Sequence, residues 1–174
     1  VEKLTKNKKL ENNLWLAFSP IKKNPLDFMI QKTSELGIQK FIPILSERTE
    51  VKEINLERVK KIIIEASEQS NRISVPEIQK IESLKNFLIK FPKNGHLIFC
   101  DIRCNENNLY NIFSKKIKGP VCILIGPEGD FSEEEKKKIL TLKNIQSIKL
   151  NNNILRTETA AISAISIVNY ILDL

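Results

Sequence analysis

A single histidine, His96, occurs in 174 residues. Ser–His and Cys–His hydrolases use an imidazole as base. His96 sits just before an apolar run and reads as a structural or surface residue, which disfavours that chemistry. Glycine is scarce, with five residues. Neither Gly-x-Gly-x-x-Gly nor Gly-x-x-x-x-Gly-Lys-Ser/Thr occurs, so the common dinucleotide and P-loop sites are absent. Nor does the Gly-x-Ser-x-Gly nucleophile turn. The three cysteines, Cys100, Cys104 and Cys122, match no zinc spacing. They read as reduced cysteines of a cytosolic protein, and no metal site is expected. No apolar run approaches the roughly 18 residues that would span a membrane. The first ten residues are lysine-rich and lack the apolar centre of a secretory signal. A cytoplasmic location without membrane contact is the expectation. The chain starts at Val1 rather than Met, as a fragment of a longer protein would.

What is present is globular in composition: 41% hydrophobic and 28% charged residues. The length suits one domain with a real core. Lys and Arg number 28 against 21 Asp and Glu, for a net charge of +7. That balance suits a polyanionic partner, nucleic acid first. A lysine-rich composition alone is the plainer explanation.

Strand-like and helix-like periodicities alternate along the chain. Asn13 to Phe18 reads as a strand. A helix follows, with Asn24 as cap, Pro25 at the first helical position, Asp27 in the first turn and Gly37 past the end. Lys40 to Leu45 reads as a strand whose Pro43 suggests an edge. Asn55 to Ser70 is an amphipathic helix, Glu77 to Ile81 a short strand, Ser83 to Phe91 a helix and Leu97 to Asp101 a buried strand. Asn107 to Lys116 reads as a helix and Val121 to Ile125 as another buried strand. Ser132 and Glu135 form a capping box, and the Lys136-Lys137-Lys138 run behind it reads as a solvated face. Ser147 to Leu150 is the last strand. The final helix, Thr157 to Leu172, is apolar nearly all round, so it is buried against a partner chain or by threading into the fold, and a homodimer is predicted. This order predicts an α/β fold: a mostly parallel sheet with helices on both faces.

Two loops carry the chemistry. Each follows a strand and leads into a helix, which is where open α/β sheets bind small molecules. The first is Gly126-Pro127-Glu128-Gly129-Asp130-Phe131. Its glycines admit close backbone approach and its proline stiffens the turn, although tight turns use both residues without any ligand. The second runs from Leu150 through Asn151-Asn152-Asn153-Ile154-Leu155-Arg156-Thr157-Glu158-Thr159 to Ala160. Arg156 stands at the start of a helix, where the dipole disfavours a cation and favours Glu158. A residue that breaks a local rule is a candidate for function. An ion pair from Arg156 to Glu158 or Glu128 is the structural alternative.

Gly126-Pro127-Glu128-Gly129 followed by Leu155-Arg156-Thr157-Glu158-Thr159-Ala160 resembles the C-terminal signature of the SPOUT methyltransferases. Three upstream segments narrow the likeness: Asp27-Phe28-Met29-Ile30-Gln31-Lys32-Thr33-Ser34-Glu35-Leu36-Gly37, Ser46-Glu47-Arg48-Thr49 and Glu65-Ala66-Ser67-Glu68-Gln69-Ser70-Asn71-Arg72. They are similar to the RsmE family, and the resemblance spans about residues 14 to 172. It implies a C-terminal trefoil knot, a homodimer, and S-adenosylmethionine-dependent methylation of N3 of a uridine in 16S ribosomal RNA of the small subunit. It further implies a domain over 13–174, with 1–12 as connector or tail of an N-terminal RNA-binding β-barrel that is missing here. The family usually has glycine where this chain has Asn71, Asp130 and Asn151. Asp130 adds negative charge beside the first loop.

The resemblance implies site roles as well. Cys100, Leu124, Ile125, Gly126, Pro127, Gly129, Leu150, Asn151, Ile154, Leu155 and Thr159 would hold the cofactor. Arg156 would stabilise the anion that develops on the uracil, and Glu128 or Glu158 would serve as base, the two unranked. Arg48, Gln69 and Arg72 would face RNA, with a helix-end salt-bridge cluster as the alternative. Two other functions stay open: a ribose 2′-O-methyltransferase of the same superfamily, and an RNA-binding module that kept the fold but lost the chemistry.

Overall fold

The computed structural model describes residues 12–104, 117 and 119–173. The helix expected over Asn107 to Lys116 lies outside them, as does the proposed 1–12 connector apart from Asn12. Seven strands are formed among the described residues: β1 (Leu14–Phe18), β2 (Lys40–Leu45), β3 (Glu77–Ile78), β4 (Glu82–Ser83), β5 (His96–Cys100), β6 (Val121–Ile125) and β7 (Ile145–Ile148). The described helices are α1 (Lys23–Glu35), α2 (Leu56–Gln69), α3 (Leu84–Lys90), α4 (Glu133–Ile139) and α5 (Thr157–Leu172). The sheet order is β3-β2-β1-β6-β5-β7, with β4 also on β2, and every pairing is parallel.

A parallel sheet covered on both faces needs apolar residues of both parities. Leu14, Leu16, Phe18, Ile98, Ile123 and Ile125 point into one core, shared with Met29 and Ile30 of α1, Val59 and Ile63 of α2, and Ala161 and Ile165 of α5. Ala17, Leu97, Phe99, Cys122 and Leu124 point into the other, against Phe87 of α3, Phe131 of the loop before α4, and Ile139 of α4. In α5, Ala161, Ala164, Ile165 and Val168 are wholly buried at helical spacing. Ile167 and Tyr170 on the same helix are exposed. Among the described residues no helix is long and apolar enough to cross a membrane.

Several boundaries differ from the sequence expectation. Helix α1 begins at Lys23 with Lys22 in the cap position, and neither Asn24 nor any other side chain caps it. Pro25 therefore falls third in the helix, where its missing N–H had no intrahelical acceptor to lose. Asp27 lies beyond the first turn and pairs with Arg58 at 2.9 Å. Pro43 lies inside the sheet. Phe41 accepts from Gln79 on the β3 side, so Pro43, two residues on, faces that same side, in the gap between two-residue strands β3 and β4. The last strand lies two residues earlier than expected. Its register with β5 runs from Leu97↔Ile145 to Cys100↔Ile148, which leaves Leu150 in the following loop. The Ser132 capping box is present, with Glu135 Oε2 accepting from Ser132 N at 3.0 Å. Lys137 and Lys138 behind it are exposed but Lys136 is buried, so that run is not wholly a solvated face.

Candidate functional site

The carboxyl ends of β5, β6 and β7 lie side by side because β5 pairs with both of the others. The loops that leave them frame a cavity of about 880 Å³. Cys100, Asp101, Ile102 and Arg103 form one wall, Gly126 to Asp130 a second, and Leu150 to Arg156 (Asn152 excepted) a third. Ile125 and Ile148 end their strands at its base, and Lys22 and Pro25 reach it from the start of α1.

The structure brings most of the expected residues together. Cys100, Ile125, Gly126, Pro127, Gly129, Leu150, Asn151, Ile154 and Leu155 line this cavity, as do Glu128 and Arg156. Leu124, Glu158 and Thr159 do not. Leu124 is turned by strand alternation into the opposite core, with Phe131 and Ile139. Thr159 is exposed and Glu158 half-buried on α5. Asp101 and Arg103 line the cavity within the Cys100–Cys104 region, which the resemblance implies as one of three cofactor loops. Lys22 lines it without having been singled out from the sequence; its only signal was position, one residue before a helix.

Arg156 caps α5 by backbone position only, with φ −65° and ψ 155° and no side-chain cap bond. Its side chain is exposed and, among the described residues, joins neither Glu128 nor Glu158. The structural alternative for Arg156 is therefore not what the fold uses. Arg48 approaches the first loop from β2's end, its Nη1 donating to the Gly129 carbonyl at 2.9 Å. Glu47 N donates to Glu135 Oε1 at 2.8 Å, a second tie between the same regions. Arg72 lies elsewhere: its Nη1 donates to the carbonyls of Ser34 and Ile38, each at 2.7 Å, at the C-terminal end of α1. Gln69 is exposed at the end of α2.

The first loop owes its glycine to packing. A Cβ on Gly126 would meet the Phe131 ring at 2.9 Å, and Phe131 stands edge-on to Phe99 at 5.7 Å between centroids. Asp130 has φ 61° and Asn71 φ 53°, the two left-handed non-glycine residues described. These are two of the three positions where the resembled family has glycine, which fits the backbone's demand. Asn151 instead closes a local turn, its Oδ1 accepting from Asn153 N at 2.9 Å. The charge of Asp130 is answered: Oδ2 lies 2.7 Å from Lys136 Nζ. Burial pushes the thiols of Cys100 and Cys122 above the usual cysteine range; Cys122 is wholly buried, whereas Cys100 is partly exposed on the cavity wall.

A family model described as an RNA methyltransferase domain matches residues 8–169. The chain belongs to the RNA methyltransferase family. Within it, the chain is similar to ribosomal RNA small subunit methyltransferase E of Rickettsia conorii, 36% identical over 157 residues, covering 90% of this chain and 64% of that protein. The Bacillus subtilis protein of the same name is 31% identical over 181 residues, covering 98% and 70%. These matches place it in the RsmE group of methyltransferases. The chain thus spans less than two thirds of the Rickettsia relative's length. Among solved structures it is similar to ribosomal RNA small subunit methyltransferase E from Neisseria gonorrhoeae bound to S-adenosyl methionine. That likeness has a TM-score of 0.83 and 30% identity, and covers 96% of this chain and 69% of that one.

Proposed function

We propose that this chain carries the S-adenosylmethionine-dependent methyl-transfer site of an enzyme that modifies N3 of a uridine in 16S ribosomal RNA. The observation that carries the reading is the cavity at three adjacent strand ends with Arg156 on its wall, its side chain paired with none of the described residues. Its donor set fits the cofactor. Ile125, Ile148, Leu150 and Leu155 offer an aliphatic bed for an adenine ring, and loop amides and carbonyls can read the ring's edge. When bound, the cofactor supplies an electrophilic methyl group.

Uridine N3 holds a weakly acidic proton and must lose it to attack. Arg156 would stabilise the negative charge that forms on the uracil oxygens. Glu128 lines the cavity and Glu158 does not, which favours Glu128 as the group that takes the proton. A net charge of +7 suits ribosomal RNA as partner, and such a substrate entails a cytoplasmic location. Ile167 and Tyr170 leave α5 with an exposed apolar side, which supports a homodimer through that helix. The packing of α5 back against α1 and β6, after β7 has joined the sheet on the far side of β5, supports the knotted C-terminal region. Pairing of Asp130 with Lys136 removes the main argument for a degenerate loop.

Arg156→Ala tests the reading. Cofactor affinity is expected to stay within about threefold, while single-turnover formation of 3-methyluridine falls by at least about a hundredfold. Near-normal turnover, or a 2′-O-methyl product by nucleoside mass spectrometry, would refute it.

A further inference from the structure

We propose that Lys136 is the positioning residue of the cavity, a single buried ammonium that locks two of its three walls in register. The inference rests on the cofactor reading above. Lys136 lies on α4, behind the site, with its side chain 7% exposed. Its Nζ stands 2.7 Å from Asp130 Oδ2 and 3.3 Å from Asp101 Oδ1. Asp130 ends the loop after β6, and Asp101 begins the loop after β5. Both residues line the cavity, and Lys136 does not. The third wall joins through the backbone, since Asp101 N donates to the Ile148 carbonyl of β7 at 2.9 Å.

Each acid is held in a demanding position. Asp130 adopts φ 61°, a conformation that residues with side chains disfavour. Its Oδ1 accepts from Phe131 N at 2.8 Å while Oδ2 takes the ammonium. Asp101 Oδ1 also accepts from Arg103 N at 3.0 Å, which sets the turn at the cavity edge. A buried lysine is tolerated only when paired. Here both partners are structural parts of the cavity, so the pairing geometry and the wall geometry are one. Without the ammonium, two carboxylates would be left to repel across the gap between the walls. Lys136 touches neither cofactor nor substrate; it acts through Asp130 and Asp101.

The test compares S-adenosylmethionine affinity by calorimetry in the wild-type chain, Lys136→Met, and the double variant Asp130→Gly with Lys136→Met. Near-ultraviolet circular dichroism reports folding of each. Removing one partner of a buried pair is expected to weaken binding by at least about tenfold, and removing Asp130 as well to relieve the unpaired charge and restore stability while the loss of affinity persists. In turnover assays the defect should appear in KM for the cofactor, with kcat at saturation kept within about threefold, a split that mere loss of stability would not produce. A folded Lys136→Met that binds as the wild type does would overturn the proposal. Should Lys136→Met not fold, the double variant decides: a folded double variant that loses at least about tenfold in affinity supports the proposal, and wild-type-like binding overturns it. Failure of the wild-type chain itself to bind would instead refute the cofactor reading, and this inference with it.

Discussion

Arg48 Nη1 donates to the carbonyl of Gly129 at 2.9 Å, across 81 positions of sequence. One guanidinium from the loop after β2 thereby fixes the backbone of the loop after β6. The sequence suggested Arg48 as an RNA contact; its hydrogen bond instead supports a role in holding the cavity wall. Arg48→Ala should weaken cofactor binding by about three- to tenfold, the worth of one charge-assisted hydrogen bond at an exposed site. Calorimetry with S-adenosylmethionine checks this, and an unchanged affinity would return Arg48 to the RNA-facing set.

Arg72 serves the fold in the same manner. It satisfies the carbonyls of Ser34 and Ile38 near the end of α1, where the helix dipole favours a cation. Arg72→Ala is expected to lower stability by about 2–3 kcal/mol, since two part-buried acceptors lose a charged donor. Urea denaturation measures that loss. RNA affinity and its salt slope should not move.

Gly126 is bound to Phe131 by lack of space. Gly126→Ala would place a methyl 2.9 Å from the ring, and overpacking of that kind costs about 1–3 kcal/mol. Pairing it with Phe131→Leu should recover part of the loss, seen as a favourable coupling in a double-mutant cycle on thermal stability. Additive losses would show that the ring is not what excludes the side chain.

The buried thiols give the chain a pH dependence of definite sign. Burial raises Cys100 and Cys122, whereas an unfolded chain releases thiol protons from about pH 8.5. Above that pH the unfolded state binds fewer protons than the folded one, so stability falls as pH rises. The urea midpoint should drop between about pH 8.5 and 10, and Cys122→Ala should flatten the drop. Cys122, wholly buried, should also resist alkylation in the folded protein at pH 8.

Most of this architecture could be read from periodicity, because each strand between two covered faces is a short apolar run and each long helix carries its own stripe. Val121–Ile125 and Thr157–Leu172 match the expectation residue for residue. β7 does not, since its ends are set by hydrogen bonds to β5, which no local pattern encodes. The loops of the site were legible as motifs, and the cavity gathers nine of the eleven residues expected around the cofactor. Leu124 fell on the wrong side because the parity of a wholly apolar strand is invisible until the sheet is built. Lys136 was hidden in a run of three lysines, and only the helix phase buries one of them. Asp130 looked like unbalanced charge for the same reason: its partner is six residues away on a helix whose orientation the sequence does not state.

Three strand-end loops frame the cavity proposed to hold the methyl donor. Titration of the chain with S-adenosylmethionine by calorimetry tests it most directly. Saturable binding at one site per chain is the expected result. A folded chain that gives no heat at several temperatures would contradict it.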